Sequence, residues 1–185
     1  MGEPVQKRIV IARYKEDITW IDKLPEGWHP IVIQKKTEDL QGDMPNAGRE
    51  PASFLFAVAR HYSQIKPDDI WAFVQGNPFD HGPDFPDILY KEPEGYMPIG
   101  GHSLKQCDDN GAPDHPNIPL KELYEKWLKR PCPKVLHFTP GGQFMVRGRD
   151  LLRFPLKWYV GVMDDVTPAW NCYVMERIWG EIYAK

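Results

Sequence analysis

The sequence predicts an α/β fold with three layers, in which helices flank a mostly parallel central sheet. Three short apolar runs have the length and composition of strands buried on both faces, namely 8–13, 30–34 and 70–74. Between the second and third runs, apolar side chains recur at helical spacing, namely Phe54, Leu55, Val58, Ala59, Tyr62 and Ile65. Strands that alternate with helices are typical of a parallel sheet. The length of 185 residues suits one domain that spans 1–185.

Turn-forming residues separate the first elements along the chain. The first strand leads into a polar turn at 14–17 and a short helix, and the second leads into a polar loop at 35–48. Proline is favoured at the first position of a helix, so Pro51 is expected to open the helix, with Glu50 at its N-cap or just before its first turn. The long stretch 75–117 is rich in Gly, Pro, Asp and His, and we expect it to be a loop.

The C-terminal part of the chain is predicted to add two strands and three helices. A short helix is expected at 120–128, and strands are expected at 135–138 and 143–147. A helix that breaks at Pro155 follows, and the last helix is expected at 169–183.

Charge and composition argue against some classes of binding partner, namely nucleic acids and membranes. The formal net charge of −3 argues against a nucleic-acid-binding protein, which would carry a clustered basic face. No apolar run is long enough to span a membrane, and the first residues lack an apolar signal core. The three cysteines are scattered, which is typical of reduced thiols. We therefore expect a cytoplasmic protein without a membrane span that binds a small molecule.

Three polar segments are candidate sites by their position in the fold. Ligands of parallel sheets bind beyond the carboxyl ends of the strands, which here lead into 13–17, 35–50 and 75–87. Within the second segment, Asn46, Gly48 and Arg49 run into the start of a helix. Free amides and the helix dipole favour an anion there, and a guanidinium can add a forked contact to phosphate. Alternatively, Arg49 pairs with Glu50 and Gly48 only makes the turn.

The third segment offers ligands for a divalent metal. Asp80 and His81 follow the third strand closely, and oxygen ligands suit Mg²⁺ or Mn²⁺, which often bridge carboxylates to substrate phosphates. The same loop, which also contains Asp84 and Asp87, could serve a metal-dependent hydrolase. Alternatively, Asp80 caps a turn and His81 is a solvated loop residue.

Two further segments carry chemistry of lower specificity. Tyr14 with the carboxylates of Glu16 and Asp17 could stack on a base and bind its polar edge, or Asp17 could cap a helix. Glu176, among large apolar residues of the last helix, could act as a general base, or it could form a structural ion pair with Arg177. The turn that ends in Gln143 contains two glycines, which would let a substrate approach the backbone closely.

Five segments occur in an order that resembles a known family. They are VIARYKED at 10–17, NAGRE at 46–50, FVQGNPFDH at 73–81, PGGQF at 140–144 and ERIW at 176–179. Together they resemble a domain-of-unknown-function family that is similar to a reduced GT-A glycosyltransferase, with related small domains in algal-virus glycosyltransferases. The resemblance covers nearly the whole chain.

The resemblance implies a GT-A-like fold that binds a nucleotide sugar. It implies that the end of the first strand and the turn after it, with Arg13, Tyr14 and Asp17, meet the nucleoside, and that Arg49 lies near the diphosphate. Further candidates for binding the nucleotide sugar are Asn46, Gly48, Gln75, Gln143 and Arg177. The resemblance also implies that Asp80 and His81 take the place of the usual D-x-D motif and bind Mn²⁺ or Mg²⁺, and that the catalytic residues are Asp80 and Glu176, with Glu176 as the base.

The predicted function is sugar transfer from a nucleoside-diphosphate donor to the hydroxyl of a carbohydrate or other acceptor. The sequence departs from the family pattern because Gln75-Gly-Asn77 stands where a first acid of D-x-D is expected. That departure favours one alternative, a non-catalytic module that binds nucleotide sugar or carbohydrate. The metal-dependent hydrolase that would use the loop 80–87 is the other alternative.

Overall fold

A computed structural model describes residues 4–100 and 104–183, so that His102, within the predicted long loop, lies outside the described residues. Its main sheet has five strands in the order β2-β1-β3-β7-β4, and a second sheet pairs β5 with β6. The strands are β1 (Lys7–Arg13), β2 (Trp28–Gln34), β3 (Ile70–Gln75), β4 (Met97–Pro98), β5 (Lys105–Asp108), β6 (Val135–Phe138) and β7 (Phe144–Arg147).

The three strands predicted from apolar runs form the parallel part of the main sheet. β1 pairs in parallel with β2 on one side and with β3 on the other. Ile9, Val10 and Ile11 of β1 are completely buried because both faces of this central strand are covered. Burial on both faces explains why these strands read as continuous apolar runs.

The main sheet is mixed, so the α/β class is confirmed, whereas a mostly parallel sheet is not. β7 runs antiparallel to β3, and the two-residue β4 runs antiparallel to β7. The predicted loop 75–117 is also interrupted, because it contains β4 and β5 and a short 3-10 helix at Asp87–Tyr90. Apolar residues of this segment, including Phe85, Ile88 and Ile99, pack against the face of the sheet that holds Ile9 and Ile11. That packing gives the segment a fixed course over the sheet.

The helices cover the opposite face of the main sheet. They are α1 (Arg49–His61), α2 (Leu120–Leu128), α3 (Gly148–Leu151), α4 (Leu156–Val166) and α5 (Cys172–Tyr183). α1 begins two residues before Pro51, with Gly48 as its N-cap, so the expected place of Glu50 at or before the N-cap is wrong. Phe54 of α1 packs against Phe73 of β3 and Trp179 of α5. The last predicted helix begins as a 3-10 turn at Ala169–Asn171 before α5.

Strand order creates a switch point at the centre of the sheet. The chain passes from β1 to β2 on one side and returns through α1 to β3 on the other side. In open α/β sheets, ligands bind beyond the carboxyl ends of the strands at such a point. None of the helices in the described ranges is both long and apolar enough to cross a membrane.

Candidate functional site

A cavity of about 180 Å³ lies beyond the carboxyl end of β3, between the start of α1 and the first turns of α5. Its wall includes four of the site residues predicted from sequence, namely Arg49, Gln75, His81 and Glu176. The rest of the wall consists of Glu50, Pro51, Phe54, His115, Gly141, Gly142, Cys172 and Tyr173. Segments far apart in the chain therefore meet at one place.

The start of α1 supplies a cation, Arg49, and a carboxylate, Glu50, to the cavity wall. Gly48 has φ +66° and its α-carbon lies so close to Ala52 that a Cβ at Gly48 would stand 2.6 Å from the Ala52 Cβ. Arg49 follows, also with positive φ, and its side chain is 57% exposed. Its Nε lies 3.5 Å from Glu50 Oε2, so the alternative surface pair exists, but an exposed pair of this kind contributes little. Nη1 of Arg49 also donates to the Tyr173 hydroxyl at 3.1 Å.

A buried glutamine ties two loops of the cavity together. Gln143 is 1% exposed; its Oε1 accepts from the Gln75 backbone N–H at 2.9 Å, and its Nε2 donates to Pro78 O at 3.1 Å. Gln75 Nε2 donates in turn to Gly141 O at 3.0 Å. Gln143 therefore positions the loop after β3 against the glycine turn and stays behind the cavity wall.

Gly141 gives His81 its place in the wall. Gly141 has φ +93°, and a Cβ at this position would stand 2.6 Å from both the Cβ and the Cγ of His81. The imidazole therefore occupies the space that any larger residue at 141 would need. The neighbouring Asp80 is exposed and lies outside the cavity wall.

Glu176 and Arg177 form an ion pair at the back of the site. Oε2 of Glu176 accepts from Arg177 Nη1, and Oε1 accepts from the Gly141 backbone N–H at 2.8 Å. Arg177 is 1% exposed, and its guanidinium lies 4.6 Å over the ring of Phe138. Glu176 therefore forms the structural ion pair that was the alternative to a catalytic role, and it also lines the cavity.

His115 is a site residue that sequence reasoning missed. Its ring stacks on Tyr173 at 3.9 Å, and its Nδ1 accepts a hydrogen bond from Arg177 Nη2. Burial, reinforced by the Arg177 charge, lowers the pKa of His115 below the ordinary 6.5. A neutral ring that accepts at Nδ1 carries its proton on Nε2. No local motif signals this role, because the partner Arg177 belongs to a different element.

The segment after β1 serves the sheet and does not line the cavity. Arg13 donates to Gln34 Oε1 at 2.6 Å and to Glu16 O at 2.9 Å, which joins the ends of β1 and β2. The Tyr14 backbone N–H donates to Glu16 Oε2, and the Glu16 side chain lies against Gly76. Glu16 thus fills the space between the ends of β1 and β3.

Asp17 neither lines the cavity nor caps the 3-10 helix Thr19–Lys23, whose N-cap is Ile18; it closes a local turn with Thr19. Its carboxylate accepts from the Thr19 backbone N–H at 2.9 Å and from the Thr19 hydroxyl at 3.1 Å, where a 3-10 helix begins. These bonds, the backbone one first, lower the pKa of Asp17.

The predicted metal ligands do not form a complete donor set. Within 4–100 and 104–183, no group of three His, Cys, Asp or Glu side chains could hold a metal ion. His81 faces the cavity while the exposed Asp80 does not, so the two are not joined in one wall. Asn46 is also exposed and lies outside the wall, one residue before the Ala47 carbonyl that accepts from Lys35 Nζ.

Cysteine chemistry has little support in the cavity. Burial raises the pKa of Cys172, so that at neutral pH this residue is a thiol. A nucleophilic cysteine requires the thiolate.

Comparison with known proteins adds no assignment. No protein-family model, curated protein or solved structure matches the chain. The functional argument therefore rests on the geometry of the cavity.

Proposed function

We propose that the chain transfers a sugar from a nucleoside-diphosphate donor to an acceptor hydroxyl at this cavity. The observation that carries the proposal is the meeting of Arg49, the glycine turn and Glu176 beyond the carboxyl end of a parallel strand. The parallel order β2-β1-β3 supports a GT-A-like, nucleotide-binding arrangement, since ligands of such sheets bind at the switch point.

The size of the cavity sets what it could hold. At about 180 Å³ it is smaller than the pockets of roughly 300–1,000 Å³ that enclose drug-sized ligands. It suits one sugar ring or one phosphate, so the rest of the proposed donor, including its nucleoside, would lie outside it.

The start of α1 is the proposed site for the leaving diphosphate. The first N–H groups of a helix have no partner within the helix and favour an anion. The half-exposed Arg49 would add charge-assisted bonds, and its pKa is raised by Glu50, so it keeps its proton. Stabilising charge on the leaving group is the main catalytic contribution expected from these groups.

Glu176 is the proposed acceptor of the hydroxyl proton. In the proposed step, the acceptor oxygen bonds to the anomeric carbon while the bond from that carbon to the phosphate oxygen breaks. The electron pair leaves with the diphosphate, and the hydroxyl proton passes to Glu176. Each carboxylate oxygen has two lone pairs, so Glu176 can take part while it also accepts from Arg177 and Gly141.

Mn²⁺ or Mg²⁺ stays outside the proposed step. Asp80 and His81 do not both line the cavity, so the step is written without a metal ion. A role for a metal on the donor diphosphate is a separate proposal, tested by adding Mn²⁺ to the binding experiment below.

A second candidate function is a binding module without catalysis. The observation in its favour is that both Glu176 oxygens already accept hydrogen bonds, as a structural ion pair requires. Such a module would bind nucleotide sugar or carbohydrate and release no product.

The test begins with thermal shift and calorimetry using UDP-, GDP-, dTDP- and CDP-sugars, each with and without Mn²⁺. A ligand that binds only the folded state raises Tm. We expect one donor to bind, and we expect Arg49→Ala to weaken it roughly 10–100-fold, since bonds to charged groups contribute about 1.5–3 kcal/mol.

Arg60→Ala is the matched control, because Arg60 lies on the same helix, is 54% exposed and pairs with Asp43 outside the cavity. Equal binding by wild type and Arg49→Ala would contradict the proposed donor site. Binding without nucleoside diphosphate release, across a panel of acceptor sugars, would favour the binding module.

A further inference from the structure

An aromatic cluster continues outward from the cavity. Tyr173 of α5 stacks on His115 at 3.9 Å and on Trp170 at 5.5 Å, with interplanar angles of 20° and 25°. Trp170 is 61% exposed, although large aromatic side chains are usually buried. A wide apolar ring is therefore presented to solvent beside the proposed site.

Trp170 forms part of a second and larger cavity. This cavity has a volume of about 560 Å³, and its wall consists of Asp114, His115, Pro116, Asn117, Ile118 and Trp170. His115 lines both cavities, so their walls share one residue.

The polar groups differ between the two cavities. The wall of the smaller cavity contains Arg49 together with Glu50 and Glu176, whereas the charged residue in the wall of the larger one is Asp114, which pairs with Lys105 at 3.2 Å. The larger wall therefore supplies a carboxylate that can accept hydrogen bonds from hydroxyl groups, and it supplies no cation for a phosphate. Asn117 adds an amide, and His115, whose Nδ1 accepts from Arg177, presents an Nε2 proton.

We propose that the larger cavity binds the acceptor as a neutral sugar ring, with the C–H face of the ring against Trp170 and its hydroxyls toward Asp114 and Asn117. An aromatic surface with a few polar groups at its edge is the usual form of a small-molecule site. That the bound sugar is the acceptor rests on the proposed transferase function, whereas the proposal that the cavity binds a sugar ring does not depend on that function.

The test is an NMR titration of the protein, in which the indole N–H signals are followed. The added ligands are the methyl glycosides of glucose, galactose, mannose, xylose and N-acetylglucosamine, and disaccharides built from these sugars. The Trp170 signal is identified by its loss in Trp170→Phe. We expect at least one saccharide to shift that signal. We also expect Trp170→Ala to weaken binding of that saccharide by about tenfold and Trp170→Phe to keep most of the affinity.

Tyr90→Ala is the control, because Tyr90 is an aromatic residue that is 73% exposed and lines neither cavity. We expect it to leave saccharide binding unchanged. Trp170 is largely exposed, so its replacement should leave Tm close to that of the wild type.

Two outcomes would overturn the proposal. If no saccharide shifts the Trp170 signal, the cavity is not a sugar subsite. If UDP, GDP, dTDP or CDP alone shifts it and Trp170→Ala weakens that nucleotide, a donor base occupies the cavity instead. If no nucleotide sugar binds, or if Arg49→Ala binds the donor as well as the wild type does, while saccharide binding at Trp170 is intact, the transferase is contradicted and the sugar subsite remains.

Discussion

Nη2 of Arg177 donates a hydrogen bond to Nδ1 of His115, a residue 62 positions earlier in the chain. This bond fastens the loop before α2 to the inner side of α5, and the stack of His115 on Tyr173 adds a second contact between the same two segments. Because His115 lines both cavities, the protonation state of one imidazole bears on both proposed binding events.

We expect acidification to destabilise the protein through His115. Burial and the Arg177 charge lower the folded pKa of His115 below 6.5, the ordinary value. The unfolded state then takes up a proton more readily, so stability is present above pH 6.5 and is lost as pH falls below it. Urea unfolding over a pH series should show this loss in the wild type.

His115→Asn is the comparison, because an amide oxygen can accept from Arg177 and does not titrate. The free energy of unfolding of the wild type, relative to this variant, should fall as pH is lowered. A constant difference across the series would contradict the assigned shift.

The Glu176–Arg177 pair should respond unequally to loss of either partner. The Arg177 side chain is 1% exposed and that of Glu176 is 21% exposed. Glu176→Ala leaves a buried guanidinium without its counter-charge, which typically costs about 3–5 kcal/mol. Arg177→Met leaves a carboxylate that water can reach, so we expect a smaller loss in urea unfolding.

The double variant Glu176→Ala/Arg177→Met should be more stable than Glu176→Ala alone, since it removes the uncompensated charge. Additive losses in the double variant would mean that the two residues do not act as a pair.

Replacing Gly141 should displace His81 as well as strain the backbone. Gly141→Ala puts a Cβ 2.6 Å from the His81 ring, at a φ of +93°. Gly27→Ala is a matched control, because Gly27 has φ +86° but no atom within 4 Å of the added Cβ. We expect Gly27→Ala to cost about 1 kcal/mol for backbone strain alone.

Gly141→Ala should therefore lower Tm further than Gly27→Ala and shift the imidazole NMR signals of His81. Equal Tm losses with an unmoved His81 signal would show that the ring has space to shift without consequence for the cavity.

Because of Lys35, the free energy of unfolding should increase as the pH is raised into the alkaline range. The residue is 4% exposed, and burial lowers its pKa from 10.5 to about 8, against the opposing charge of Glu50. Between these two pKa values the unfolded state holds more protons, so the free energy of unfolding increases as pH rises from 8 toward 10.5. Lys35→Met does not titrate, and the difference in Tm between wild type and variant should change over this window only.

The parallel core of the fold could be predicted from sequence because its signals are local. Strands buried on both faces give continuous apolar runs, and α2 matches its predicted bounds because its apolar stripe is uninterrupted. The two-residue β4 has no periodicity to detect. The direction of β7 depends on the path of the chain around the sheet, which short-range patterns do not contain.

The site could be predicted only where a motif is contiguous. Arg49 and Glu176, which both line the cavity, can be selected from sequence because a helix start and a carboxylate on an apolar helix are visible in a few residues. The sequence does not show that His81 lines the cavity and Asp80 does not, because the position of His81 depends on Gly141, which is distant in sequence. The segment from Arg13 to Asp17 has the polarity expected of a site, but Arg13 joins the ends of β1 and β2 and Asp17 closes a local turn.

Both outer strands of the main sheet contain a proline, Pro30 in β2 and Pro98 in β4. Proline has no N–H, so each edge presents an interrupted row of donors to any strand that approaches it. An incoming chain could not continue the hydrogen-bonded ladder without a gap. The sheet is thereby protected against edge-to-edge aggregation when the protein is concentrated.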